Sequence, residues 1–234
     1  MRRLLAVISF CAGLFCIAQG NAQACLLLTG AGGPCPDGGV PPSTTTWNPS
    51  DKDPGITLSG GNLVATTSTS TPNCSVTGYC NVRAIANHAT GKYYYELVVT
   101  NLGGATQDEN EGIGDSSASL DNFIGATVDS VGVKHGGGQS GASCPNTPSG
   151  FTAGDTVSVA VDVGAALVWF RTNAGNWNND ATANPATGTN GCSYTFTGNT
   201  YPFVGGSNDA NTVITTNFGG SAYSFTPPSG FGNW

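Results

Sequence analysis

From Trp47 onward, the chain is a series of short runs of alternating apolar and polar residues, broken every few positions by Gly, Asn or Pro. Such runs are typical of β-strands, because successive side chains of a strand point to opposite faces of a sheet. No stretch carries the 3.6-residue apolar periodicity of a helix face. Glycine makes up 35 of the 234 residues, whereas Lys and Glu occur three times each. A helical bundle is therefore excluded.

Five segments indicate strands most clearly. Residues 92–100 (KYYYELVVT) are rich in the aromatic and β-branched types that favour strands. Residues 156–162 (TVSVAVD) carry three valines on one face, and the chain returns after a Gly-Ala turn as 167–171 (LVWFR), which predicts a β-hairpin. Residues 212–218 and 194–196 predict two more strands. Many short strands without intervening helices predict an all-β fold, an antiparallel two-sheet β-sandwich.

The first 24 residues have the three parts of a secretory signal peptide. Met1-Arg2-Arg3 is a positive start, Leu4 to Ala18 is an apolar stretch, and Ala22-Gln23-Ala24 is a small-x-small cleavage site. The apolar stretch is shorter than the about 20 residues that span a bilayer, so no stable membrane span is expected. We expect a secreted, periplasmic or cell-surface protein. A lipidated Cys25 is a minor alternative, which Ala22 and Gln23 fit poorly.

Six cysteines remain after cleavage, and an even number in an exported chain predicts disulfides. Fifteen pairings are possible in principle. Proximity in sequence favours Cys25–Cys35 and Cys74–Cys80, which leaves Cys144 to pair with Cys192. A zinc site is disfavoured, because the chain has no C-x-x-C pair and only two histidines.

Residues 25–46 are rich in Gly, Pro and Thr and show no periodicity, which predicts an extended leader or linker before a domain at 47–234. Seven Lys and Arg residues against 14 Asp and Glu residues give a net charge of −7. A nucleic-acid partner is excluded, because binding to phosphates needs a basic face.

Several blocks of the domain resemble, in order, those of a SPRY (B30.2-like) domain of bacterial or phage type. The blocks, which extend over most of Trp47 to Trp234, are TWNPSDKDPGITLSGGNLVAT (46–66), GKYYYELVVT (91–100), EGIGDSSASLDNFIG (111–125), DSVGVKHGGG (129–138), FTAGDTVSVAVDVGAALVWFRTNAGNW (151–177), YPFVGGSNDANTVITTNFG (201–219) and FTPPSGFGNW (225–234). The most specific block is the hairpin VSVAVDVGAALVWFRTNAGNW.

The resemblance implies a concanavalin A-like jelly roll of two antiparallel sheets. It also implies a non-catalytic module that binds peptides or proteins through loops at one end of the sandwich, without a cofactor or a metal. Glu96 matches a structural position of the family. The predicted disulfides and the long 136–150 loop depart from the family pattern.

Catalytic alternatives find little support in the residues. Gly114-Asp115-Ser116 is similar to an esterase nucleophile block, but no His follows residue 135 to serve as its base. A glycoside hydrolase needs two carboxylates across a cleft, and Glu109 and Glu111 have a suitable spacing. The sequence around them predicts a loop rather than a substrate-facing strand. We therefore expect no enzyme, with a glycoside hydrolase on the same scaffold as a less favoured alternative.

Acidic residues are concentrated between positions 108 and 121. A calcium loop starting at Asp108 lacks the closing Glu, so a solvated acidic rim is the preferred interpretation. The predicted binding residues lie on this rim and on one further loop: Asp108, Glu109, Glu111, Asp121, Phe123 and Trp177. Trp177 could stack on a sugar or a peptide, although packing is the favoured role, and Trp169 is expected in the core.

We therefore expect a secreted binding or adhesion module for a protein or peptide. A carbohydrate-binding, lectin-like domain is the alternative. The identity of the ligand is not encoded in any motif of the chain.

Overall fold

The computed structural model describes residues 14–19, 22–27, 42–67, 74, 78–102, 110–207 and 211–234. For 14–19, 22–27 and Asn110, it describes the backbone only. The chain divides into two compact units, Met1–Pro42 and Ser43–Trp234. The second unit thus begins four residues before the domain boundary expected from composition.

The described part of the first unit is an antiparallel pair of strands, β1 (Leu14–Gln19) and β2 (Ala22–Leu27). It falls on the segment assigned to the signal peptide and its cleavage site, and that assignment stays a prediction. Within the described residues, no helix is long and apolar enough to cross a bilayer.

The second unit contains two sheets. Sheet I has six strands among the described residues, in the order β10-β9-β8-β14-β6-β3, and each neighbouring pair is antiparallel. Its strands are β3 (Trp47–Lys52), β6 (Tyr79–Ala84), β8 (Asn110–Gly114), β9 (Ser130–Lys134), β10 (Gln139–Ser140) and β14 (Tyr201–Ser207).

Sheet II follows the order β13-β12-β11-β7-β15-β5-β4 within the described residues, and a short eighth strand, β16, runs parallel to β7. Its strands are β4 (Ile56–Ser59), β5 (Val64–Thr67), β7 (Lys92–Leu102), β11 (Thr156–Asp162), β12 (Leu167–Thr172), β13 (Cys192–Ser193), β15 (Thr212–Asn217) and β16 (Gly232–Asn233). The molecule is the expected all-β sandwich.

The core between the sheets is built from alternate residues of each strand. Val157, Val159 and Val161 are fully buried there, as their spacing predicts. Across the hairpin, Val159 faces Phe170 and Val161 faces Val168, so one inward-facing row continues from β11 into β12. Alternation places one face of most strands in this core, which explains why short runs suffice to define the fold.

One strand prediction is wrong. Residues 194–196 form no strand; the edge strand β13 is Cys192–Ser193 instead. The Tyr194 backbone N–H donates to the carbonyl of Ala166 in the β11–β12 turn, and its ring packs on Phe196. The Tyr194 side chain is therefore buried, although its backbone does not continue the hydrogen-bond ladder of β13.

Two disulfides are present among the described residues, Cys74–Cys80 and Cys144–Cys192. Both are predicted pairs: Cys74–Cys80 from proximity in sequence, and Cys144–Cys192 as the pair that remained. The third expected pair, Cys25–Cys35, includes Cys35, which lies outside the described residues.

Candidate functional site

The acidic residues expected on a common rim do not share an environment. Asp108 and Glu109 lie outside the described residues. Glu111 lies in β8, where a loop was predicted, and is 0% exposed. It faces Val133 and Val204 across the neighbouring strands, on the same side as the core residue Ile113. The expectation of a solvated rim is therefore wrong for Glu111, which lies in the sandwich interior and cannot flank a substrate in an open cleft.

Asp115 is also fully buried and holds the start of the β8–β9 loop in place. Its carboxylate accepts hydrogen bonds from the backbone N–H groups of Ser117, at 2.7 Å, and Thr197, at 3.3 Å. Its own backbone N–H donates to the carbonyl of Asp129 at 2.9 Å, at the far end of the same loop. Asp115 thus closes the loop at its base, in agreement with a strand end that turns into a loop.

The β8–β9 loop, residues 115–129, lies over the outer face of sheet I, where Arg83 anchors its first part. The Arg83 guanidinium donates through Nη1 to the carbonyls of Asp115 and Ala118. Its Nε and Nη2 bind both carboxylate oxygens of Asp51, each at 2.8 Å. Because the two planar groups pair in a bidentate manner, the guanidinium is held in one orientation and fixes the loop to β6.

Asn81 anchors the second part of the same loop. Its Nδ2 donates to the carbonyls of Ser119 and Asn122, and its backbone N–H donates to the carbonyl of Leu120. The side chain lies over Gly205, where an added Cβ would come within 1.8 Å of Asn81 Oδ1. Glycine at this position of β14 therefore makes room for the anchor. Sequence analysis missed Asn81 and Arg83, although two polar residues at alternate positions of a strand were a usable signal.

The held loop presents two exposed apolar side chains. Phe123 is 36% exposed and packs edge-on against Tyr79, with the ring centroids 5.8 Å apart. Val128 is 64% exposed. Asp121 is half-buried, and its carboxylate accepts a hydrogen bond from the Ser119 hydroxyl. Of the predicted binding residues, Asp121 and Phe123 thus lie together on an accessible loop.

A surface depression of about 400 Å³ lies beside Val128. It is lined by two short backbone segments, Gly125–Val128 and Gly141–Ser143. Gly125 and Gly141 have φ of +86° and +76°, and a Cβ on either would clash with Ser140 or with the carbonyl of Ser130. The two glycines therefore allow the loop to lie directly against β10.

The far side of the depression is tied to sheet II. Ser143 and Ser193 exchange two backbone hydrogen bonds, of 3.0 and 2.9 Å, and the adjacent disulfide joins Cys144 to Cys192 in β13. These links connect the chain after the edge strand of sheet I to the edge strand of sheet II. The depression is accordingly bounded by backbone that is held at both sides.

A search among solved structures finds SPRY domains. The SPRY domain of human HERC1 is 16% identical, with a TM-score of 0.54, and the match covers 73% of this chain and 96% of that domain. A human SPRY domain is 12% identical (TM-score 0.45, 70% and 94% covered), and the TRIM65 PSpry domain is 10% identical (TM-score 0.49, 74% and 89% covered). Of these three, the HERC1 domain has a TM-score above 0.5 and carries the assignment of the fold. The chain has the SPRY fold.

No family model and no curated protein sequence matches the chain. The similarity to the HERC1 SPRY domain shows the fold alone. It agrees with the order of the sequence blocks that resemble the family.

Within this SPRY fold, Trp177 lies on the opposite side of the molecule from Phe123. Its half-buried ring packs on the outer face of sheet II, beneath the guanidinium of Arg171 at 4.3 Å and edge-on to Tyr94 at 6.4 Å. Trp177 and Phe123, both predicted as binding residues, therefore do not form one site, since sheet I and the core lie between the two aromatics. Packing accounts for the position of Trp177.

The outer face of sheet II holds a buried polar cluster that sequence analysis did not foresee as a unit. Tyr94 Oη donates to Glu96 Oε1 at 2.7 Å and contacts Ser158 Oγ at 2.9 Å. The Glu96 carboxylate also accepts from the backbone N–H groups of Ser224 and Phe225. Burial raises the pKa of the Tyr94 hydroxyl above its ordinary range. The cluster fastens the C-terminal segment onto the sheet, in keeping with the structural role expected of Glu96.

In the part of the chain that the structure describes, no three His, Cys, Asp or Glu side chains group as metal ligands would. The two histidines lie apart, His88 against Tyr93 and Trp234, and His135 near Phe151. What the described residues do offer is an apolar loop surface with a shaped depression beside it.

Proposed function

We propose that this protein is an exported, non-catalytic binding or adhesion module. It recognises a protein or peptide through the β8–β9 loop and the depression beside Val128. The observation that carries the proposal is the exposure of Phe123 and Val128 on a loop that Arg83 and Asn81 hold rigidly. Binding residues are commonly placed on loops that a rigid scaffold positions.

The surface has the chemistry of a contact for an apolar side chain. Ala126, Val128 and Ala142 line the depression together with glycines, Thr127 and Ser143, and the set contains no acid and no histidine. Exposed apolar groups that adjoin one another on a loop are typical of protein-binding sites. A side chain of the partner would bury apolar area here without displacing a charged group.

Charge favours a partner with basic residues beside its apolar anchor. Asp121 and Asp129 are half-buried near the two ends of the apolar segment, and the whole chain has a net charge of −7. Opposite charges around an interface speed encounter and orient the partner. The resemblance to SPRY domains, which are generally protein-interaction modules, supports the same class of function.

The test starts from the full chain and a random phage-displayed peptide library. Enriched peptides should pair an aliphatic or aromatic residue with Lys or Arg, and their affinity should decrease with added salt. Val128→Asp should weaken binding of the selected peptides at least about tenfold, which corresponds to about 1.4 kcal/mol.

Ile85→Asp is the matched control. Ile85 is 48% exposed and follows β6 near the opposite edge of sheet I, where its N–H donates to the carbonyl of Thr46. This variant should bind as the wild type does. If the selected peptides bound Val128→Asp and wild type equally, the binding site would have to lie elsewhere. Hydrolysis of a selected peptide or of a glycan would instead favour an enzyme.

A further inference from the structure

A second cavity, far from the β8–β9 loop in sequence, lies between the start of the second unit and the end of β15. Its volume is about 220 Å³. Three segments and one isolated side chain line it: 43–46, 216–218, Gly220 with Ser221, and Leu63. We propose that this cavity binds an uncharged, polyhydroxylated small molecule of the size of one sugar ring.

The walls are held by hydrogen bonds between segments distant in the chain. The Ser43 N–H donates to the carbonyl of Gly219 at 3.1 Å, and its hydroxyl donates to the carbonyl of Trp234. The Thr216 N–H donates to the carbonyl of Leu63 at 2.8 Å. The walls of the cavity are therefore fixed parts of the sandwich.

The turn after β15 is held by a single side chain. Asn217 Nδ2 donates to the carbonyls of Ser221 and Ala222, at 3.2 and 3.0 Å, while its Oδ1 accepts from the Gly219 N–H at 2.9 Å. These bonds fix the position of Ser221, which is exposed at the edge of the cavity. The groups that would meet a ligand are thus pre-positioned.

The lining is rich in hydroxyls and contains no charge. Six of the ten lining residues are Ser or Thr, and none is Asp, Glu, Lys, Arg or His. A charged ligand would lose its hydration without gaining a counter-charge, which is unfavourable. A hydroxyl both donates and accepts, so a set of them suits a ligand that carries hydroxyls itself.

Thr216 gives the strongest indication of a polar ligand. It is 3% exposed, lies between the buried apolar residues Ile214 and Phe218 on the inward face of β15, and lines the cavity. Among the described residues its Oγ1 has no hydrogen-bond partner. A buried hydroxyl without a partner is destabilising, whereas a Val side chain has the same shape and would bury no unpaired polar group here. A ligand hydroxyl in the cavity would supply the missing partner.

The volume accommodates about one sugar ring. A water molecule occupies about 30 Å³ in the liquid, so the cavity has the space of about seven waters. The cavity is smaller than pockets for drug-sized ligands, whose volumes begin at about 300 Å³. A ligand with so few atoms should bind with a Kd of the order of millimolar.

The experiment is an NMR titration of the full chain with glucose, galactose, mannose and N-acetylglucosamine, with glucuronate and glucosamine as charged counterparts. At least one neutral sugar should shift the amide signals of 43–46 and 216–221, saturating by about 50 mM. The charged sugars should bind at least about tenfold more weakly. No shift at these amides with any neutral sugar, or equal binding of glucuronate, would overturn the proposal.

Thr216→Val should weaken binding at least about fivefold, whereas Thr215→Val, on the other face of the same strand, should leave it unchanged. The spectrum of each free variant reports whether it is folded. Ser221→Ala, at the exposed edge of the cavity, should also weaken sugar binding. It replaces Thr216→Val as the test variant if Thr216→Val does not fold. Unchanged sugar affinity in the folded variants would contradict the proposal. None of these substitutions lies in the β8–β9 loop, so this experiment tests sugar binding independently of the proposed peptide binding.

Discussion

Trp169 and Phe170 are consecutive residues of β12, yet they are buried on opposite faces of sheet II. Phe170 packs in the core between the sheets, whereas Trp169 packs with Tyr94 and Phe231 on the outer face. Trp169 Nε1 donates to the carbonyl of Thr189 at 2.8 Å. A second buried layer therefore lies outside the sheet, beneath the chain that follows β12 and the C-terminal segment.

Trp169→Ala should lower the free energy of unfolding by about 3–5 kcal/mol, because a large buried aromatic is lost and a cavity remains. Phe170→Ala should have a similar effect, and urea denaturation measures both. Limited proteolysis separates the two layers: cleavage within 173–191 should increase in folded Trp169→Ala but not in folded Phe170→Ala. An unchanged unfolding free energy for Trp169→Ala would contradict the outer layer.

Glu96→Gln should release the C-terminal segment. The Glu96 carboxylate accepts three hydrogen bonds, from Tyr94, Ser224 and Phe225, and an amide would turn one acceptor into a donor that faces another donor. We expect a loss of about 1–3 kcal/mol and faster amide hydrogen exchange at 223–231.

Asp155→Asn is the matched control for this prediction. The Asp155 carboxylate also accepts three hydrogen bonds, two from Thr152 and one from Asn173, but at an exposed site where water can replace them. Its effect should be smaller. Equal effects of the two variants would show that burial of Glu96 is not what makes its hydrogen bonds important.

The two described disulfides should differ in their contribution to stability. Cys144–Cys192 joins residues 48 apart and Cys74–Cys80 residues 6 apart. Loop-closure entropy gives about 4 kcal/mol for the longer loop and about 2 kcal/mol for the shorter. Unfolding of the double variants Cys144→Ala/Cys192→Ala and Cys74→Ala/Cys80→Ala measures both terms. A larger loss for the shorter loop would contradict this order, and free thiols at these positions in unreduced protein would contradict the pairing.

His88 should make stability depend on pH. Burial against Tyr93 and Trp234 lowers its pKa below the ordinary value of about 6.5, so the folded state favours the neutral ring. The unfolded chain then binds the proton first as pH falls. This contribution is fully present above about pH 7 and is lost as pH falls through 6.5 towards the lower pKa of the folded state.

The measurement compares unfolding free energies of wild type and His88→Phe between about pH 7 and pH 5. Wild type should lose stability relative to the variant as pH decreases. Carboxylates titrate in both proteins and cancel in the difference. Parallel curves over this range would show that His88 is not protonated differently in the two states.

Several features of the fold follow from local pattern. The valines of Thr156–Asp162 lie on one face as predicted, and the hairpin with Leu167–Thr172 has the expected turn. Cys74 pairs with Cys80 across six positions. Each of these depends on residues close in sequence, where side-chain alternation and chain length limit the possibilities.

The candidate site depended on contacts that no local pattern contains. Glu111 was expected on a solvated rim, but its strand pairs with β9 and β14 and turns it inward. Phe123, a predicted binding residue, is exposed on the β8–β9 loop, and its role in binding stays a prediction. Asn81 and Arg83, which hold that loop, bond to carbonyls 32 to 41 positions away.

By itself, the sequence determined that the chain folds into short strands with one apolar face each, because the period of two is a property of the extended backbone. Only the tertiary structure decided what covers the other face. The Tyr223 hydroxyl bonds the carbonyl of Tyr94, 129 positions earlier, and so buries a layer that alternation alone would assign to solvent. The segments that cover Trp169 are distant from it in sequence. Whether a side chain such as Trp169 or Val128 is buried therefore depends on contacts between distant segments rather than on the residue's neighbours in sequence.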